Sequence, residues 1–190
     1  ALVNEGAGRV RDLMTHIMSS APVNLAWQPS PAGIGVIDPA ANANGGLLFP
    51  INPLTGLTNC TVISWFYQRA AWAVNNATLG LARWESASTY LLNRKNGSAT
   101  TSRCIIVTSG TDPDLTVTDG MNPGRVHCLA WVLTNLVLSC WINGIQVGGT
   151  ATGTGTISSN PDGYALFAGG TSGAASQLNL DTALGLAGGL

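Results

Sequence analysis

The two apolar runs at residues 126–134 and 136–144, VHCLAWVLT and LVLSCWING, carry the strongest pattern in this chain. They flank a short polar turn at Thr134-Asn135, and the second run closes on Asn143-Gly144. Asn-Gly after a β-rich run predicts a tight hairpin, because both residues tolerate φ > 0. The next run, IQVGGT at 145–150, is then the returning strand.

Similar runs recur at 45–51, 60–68, 78–84, 88–97, 102–110, 114–120 and 164–170. Turn residues punctuate them roughly every 8–12 positions, with period-2 or continuous apolar character between. That spacing predicts an antiparallel sandwich or barrel. The two ends read differently. Val10, Leu13, Met14, Ile17 and Met18 recur at three- and four-residue intervals, which predicts an amphipathic helix over residues 5–19. Asn4 is placed to cap it and Glu5 to complement its dipole. Four prolines, Pro22, Pro29, Pro31 and Pro39, mark an extended, irregular entry segment. The tail from residue 178 is apolar and has no charge after Asp181, so it is either a last strand or a segment in need of a partner. The expected organisation is an N-terminal helical segment, 1–20, followed by a sandwich with an extended tail, 21–190.

Composition narrows the function classes. At 190 residues the chain is long enough for one domain with a substantial core. Charged residues make up only 9% of it, and Lys95 is the sole lysine. A net charge of -1 offers no footprint for a phosphate backbone, so no nucleic-acid partner is expected. No apolar run reaches the ~20 residues that span a bilayer, and no basic amphipathic helix suits a membrane surface. The first residues lack the pattern of a signal peptide, and an opening Ala is compatible with loss of an initiator Met in a cytoplasmically made protein. Cys60, Cys104, Cys128 and Cys140 each sit inside an apolar run, without CxxC spacing. They read as buried thiols, with a Cys128–Cys140 disulfide across the hairpin as the sharper alternative.

The order of the runs resembles concanavalin A-like, laminin-G-like jelly-roll domains. Residues 60–65, CTVISW, are similar to an early core strand of that family, 126–130, VHCLA, to its histidine-bearing strand, and 140–144, CWING, to the strand closing on a turn glycine. Residues 46–50 and 164–170 fall where flanking strands run, whereas the usual closing strand is not recognisable after Gly170. The resemblance implies an all-β, antiparallel jelly-roll β-sandwich. It says little about ligand.

Candidate chemistry is sparse. Laminarinase-type glycosidases of this fold need two carboxylates roughly 5 Å apart. The chain has only two glutamates, Glu5 and Glu85, and no ExDxxE, so a non-enzyme is expected. His16 and His127 lack nucleophile or acid partners at motif spacing and read as structural, and there is no GxSxG elbow. Gly148-Gly149 precedes no helix, which argues against a phosphate loop. Asp112, Asp114 and Asp119 form the one acidic cluster. Their loop is either a turn or a calcium rim, and the spacing matches no calcium loop, so no metal or cofactor is expected. Trp65, Trp131 and Trp141 fall in core-patterned runs. Trp72 and Trp84 lie in a less regular stretch and are the candidate ligand-binding residues, because an exposed indole stacks on a sugar face. Asn59, Asn76 and Asn96 are sequons that matter only in a secretory eukaryotic setting.

Two functional expectations follow. Residues 1–6, ALVNEG, with the helix behind them, resemble the openings of small bacteriophage virion proteins. This implies a capsid decoration or cement subunit in the virion, oligomeric and contacting major capsid or other virion proteins through its sandwich edges and termini. The low charge and apolar tail fit a surface consumed by neighbours. The alternative is an extracellular lectin-like, carbohydrate-binding module.

Overall fold

The computed structural model describes residues 2–4, 10–12, 25–29, 35–39, 47–49, 54–68, 85–86, 89–95, 100–122, 124–158, 164–166 and 183–185. The first strands are β1 (Leu2–Asn4), β2 (Val10–Asp12), β3 (Leu25–Pro29), β4 (Gly35–Pro39) and β5 (Leu47–Phe49). The middle holds β6 (Cys60–Gln68), β7 (Glu85–Ser86), β8 (Thr89–Lys95), β9 (Thr101–Ile106) and β10 (Asp114–Thr118). Then come β11 (Arg125–Thr134), β12 (Val137–Ile142), β13 (Ile145–Thr152), β14 (Tyr164–Leu166) and β15 (Ala183–Gly185).

The described residues form an all-β, antiparallel sandwich. One sheet runs β13-β12-β11-β6-β15-β4-β3, and the facing sheet runs β10-β9-β8-β7. The pairs β1-β2 and β14-β5 form two separate two-stranded sheets. The inner faces carry the apolar half of each alternating pattern. Val62 of β6, Leu129, Trp131 and Leu133 of β11, and Leu138, Cys140 and Ile142 of β12 come from one sheet. Cys104 and Ile106 of β9 and Leu115 and Val117 of β10 come from the other. Gly148 brings the edges of the two sheets together: a Cβ built there would lie 2.7 Å from Val117 Cγ1, and its φ is +69°. Gly148-Gly149 is therefore a bulge in β13, where pairing jumps from Cys140↔Val147 to Ser139↔Thr150.

The hairpin predicted from Asn143-Gly144 is present, with φ of 51° and 83° at its two turn residues. The preceding turn sits one residue later than expected, at Asn135-Leu136. Leu136 adopts φ +61°, costly for a Leu, yet it is buried in the core. The turn is held by Leu136 N donating to Thr58 O and Asn135 N donating to Asn59 Oδ1. Core burial and two hydrogen bonds to the segment before β6 outweigh the local preference.

Three segments at the ends of the chain can be set against expectation. The segment read as irregular because of its prolines contains the β3-β4 hairpin. Pro29 and Pro39 fall at strand ends, and Pro29 lies on β3, the sheet edge among the described residues, where a missing N–H is tolerated. The apolar tail supplies β15, which inserts between β6 and β4. Of the helix expected over 5–19, the structure describes Val10–Asp12, which pairs as a strand with Leu2–Asn4. The remainder lies outside the described residues, as does the strand expected at 78–84.

All four cysteines are free thiols. The Cys128–Cys140 alternative fails on register: Cys140 faces the core opposite Trp131, whereas Cys128 lies on the outer face of β11. Burial pushes the Cys60 thiol from 9.0 up to about 11. Burial, then the charge of Asp119, pushes Cys140 up to about 12. The folded chain thus keeps protons that the unfolded chain releases, so this contribution to stability is complete below pH 9 and lost as pH rises towards 11–12. Urea midpoints should therefore fall between pH 9 and 11, and Cys140→Ala, although less stable at neutral pH, should show a shallower fall. An identical slope in the variant would contradict the assignment.

Candidate functional site

The outer face of β6, β11 and β12 is the candidate site. Alternation sends Val62 inward and Ile63 and Trp65 outward, and the two outward residues are 54% and 43% exposed. Register places Cys128 opposite Trp65 and Ala130 opposite Ile63. It places Trp141 opposite Ala130 on the next strand, and Gln146 of β13 opposite Trp141. Two small side chains on β11 therefore lie between an indole on β6 and another on β12. The result is a shallow trough with an aromatic on either side.

Trp141 has a defined pose. Its Nε1–H donates to Ser139 Oγ at 3.2 Å, and that hydroxyl donates to Val132 O at 3.3 Å. Ser139 is two residues back on the same face, so the indole leans along the strand instead of standing off the sheet. The rim beyond is uncharged and polar: Gln146 is exposed, and Asn143 accepts from Cys128 N through Oδ1 at 2.9 Å. An indole with an open face takes up apolar C–H surface, and neighbouring amides and hydroxyls supply orientation.

The acidic cluster resolves into three separate structural roles. Asp112 Oδ1 accepts from Thr108 N at 2.8 Å, which closes the turn between β9 and β10. Asp114 pairs with the Arg103 guanidinium on the outer face of the smaller sheet. Asp119 points inward and accepts from Ser102 Oγ and Met121 N. Among the described residues no three His, Cys, Asp or Glu side chains gather as metal ligands. His127 is buried, with Nε2 2.8 Å from Asn122 O, a structural position as its strand context indicated.

Trp72, Trp84 and His16 lie outside the described residues. The run pattern places Trp65 and Trp141 with the core, whereas the structure turns both outward. Strict alternation from buried Trp131, across to Ala130 and its partners, would have revealed the face each occupies, had the inward phase of β6 and β12 been known.

No protein-family model matches the chain, and no curated protein matches it. Four solved chains match it, and two of them are as follows. Domain 4 of AbnA, a GH43 extracellular arabinanase from Geobacillus stearothermophilus solved in complex with arabinotriose, matches with a TM-score of 0.59 at 10% identity, over 85% of this chain and 72% of that one. The carbohydrate-binding module CBM66 from Bacillus subtilis matches with a TM-score of 0.42 at 11% identity, over 79% of this chain and 92% of that one. The AbnA domain and this chain share a β-sandwich fold.

Proposed function

We propose that the protein is a non-catalytic carbohydrate-binding module, a concanavalin A-like jelly-roll over residues 21–190 preceded by a separate N-terminal segment, 1–20. The observation that supports this reading is the trough of Trp65 and Trp141 around Ala130 and Cys128. The fold shared with a domain solved in complex with arabinotriose makes arabino-oligosaccharides the first ligands to try, and an extracellular setting the natural one. The two glutamates, Glu5 and Glu85, leave no Glu pair on one strand for retaining glycoside hydrolysis, which fits binding without turnover.

The virion-assembly reading draws nothing from these comparisons. Part of the apolar tail that weighed towards it is β15, consumed within the sheet. A glycan array with the purified chain tests the choice. Binding is expected, and Trp65→Ala should weaken it at least tenfold, about 1.4 kcal/mol. The unfolding midpoint should hardly change, because the ring removed is half exposed. Failure to bind any glycan, together with concentration-dependent oligomers, would restore the assembly reading.

A further inference from the structure

We infer that the trough is built for an extended oligosaccharide rather than a single sugar, with Trp65 and Trp141 stacking on different residues of one chain. This rests on the carbohydrate-binding reading above and adds the size and direction of the ligand.

The register carries the argument. Trp65 is on β6 and Trp141 on β12, with β11 between them, so two strand spacings, about 10 Å, separate their strands. Trp65 lies opposite Cys128 and Trp141 opposite Ala130, an offset of two residues, or about 7 Å along the strands. Together these place the two Cα atoms about 12 Å apart on a diagonal. The lean of Trp141 towards Ser139 carries its ring farther still from the Trp65 row, because Ser139 pairs with Val132, beyond Ala130. One sugar ring cannot lie on both indoles. A chain running obliquely over Ala130 can, with Gln146 and Ser139 at the Trp141 end.

Two rings acting on one chain make the second contact intramolecular once the first is made, so affinity grows with length until both are covered. A single ring contact gives no such growth.

The test is calorimetric titration of the full chain with arabinose, xylose and glucose, and with the matching oligosaccharides up to hexamers. In the series that binds, affinity is expected to rise at least tenfold from the monosaccharide to the tri- or tetrasaccharide and then level off. Trp65→Ala and Trp141→Ala should each remove most of that rise. Ala130→Phe keeps both indoles but fills the diagonal between them, and it should do the same; unchanged unfolding midpoints exclude misfolding as the cause. A monosaccharide that binds as tightly as its oligomers would overturn the inference while leaving carbohydrate binding intact. So would a length dependence that only one tryptophan affects. Absence of binding to every saccharide would overturn both readings.

Discussion

Trp131→Ala should cost about 3–5 kcal/mol, the range for deleting a buried Trp side chain. Trp131 is 2% exposed and lies between Val62 on β6 and Cys140 on β12, in the cluster that also holds Ile106, Leu115 and Val117 of the facing sheet. The loss is a large part of the 5–15 kcal/mol that typically stabilises a domain. In urea unfolding the midpoint should drop steeply, or the variant should fail to fold. Trp131→Phe supplies the control. The Nε1–H of Trp131 is buried without a hydrogen-bond partner among the described residues, so the indole carries a desolvation cost that Phe escapes. The smaller ring leaves a modest void, and the two effects oppose each other. Trp131→Phe should therefore stay within about 1.5 kcal/mol of the parent. If Trp131→Ala cost less than about 1 kcal/mol, the packing of the two sheets would be wrongly assigned.

Asp119→Ala comes next in size, at about 2–4 kcal/mol, and its mechanism is polar. Asp119 is 4% exposed and follows β10 at a turn completed by Gly120, whose φ is +59°. Its backbone N–H donates to Thr100 O, and its carboxylate accepts from the Ser102 hydroxyl and the Met121 N–H. Ser102 and Met121 are both buried, so removing the carboxylate strands two donors away from water. Each stranded group costs about 1–3 kcal/mol. Asp119→Asn keeps one oxygen at the junction, and the Ser102 hydroxyl can rotate to accept from the new amide. It should lose less than half as much. Thermal unfolding of the three proteins orders them directly, and equal losses for the Ala and Asn variants would show that shape, not hydrogen bonding, governs the position. Glycan affinity should be the same in all three, because Asp119 serves the inner side of the sheet and the trough lies on the outer side.

Local chemistry made the β elements legible. Asn143-Gly144 announced its hairpin because few residue pairs accept two positive φ angles in a row. The alternation of 126–134 and 136–142 marked strands because a half-buried sheet face demands a period of two. The same reasoning predicts strand runs at 102–110 and 114–120, which contain most of β9 and all of β10 but overrun both into the turns that follow. Misreadings arose where tertiary context reversed a local preference. Pro29 and Pro39 disguised β3 and β4, since nothing in the sequence revealed that Pro29 would end an edge strand and Pro39 its neighbour. Leu136 was an implausible turn residue until the core claimed its side chain.

In the acidic loop, tertiary context chose between readings that the sequence left open. Asp112, Asp114 and Asp119 are neighbours along the chain, but strand alternation and turn geometry send one to a turn, one to the outer surface and one inward. The spacing left a turn or a calcium rim open with no metal expected, and the structure gives the three carboxylates separate partners, with Asp112 in a turn.

What the sequence by itself determined is therefore the predominantly β character, the central hairpin, the low charge and the absence of an ExDxxE motif. Each of these depends on residues a few positions apart, or on simple counts. Only the tertiary structure decided which face each tryptophan occupies, that the thiols of Cys128 and Cys140 point to opposite sides of one sheet, and that the tail closes the sandwich as β15. A strand's two faces are equivalent until a second sheet covers one of them. Trp65 and Trp141 became a trough, and Trp131 a core residue, only when β9 and β10 packed against the other side.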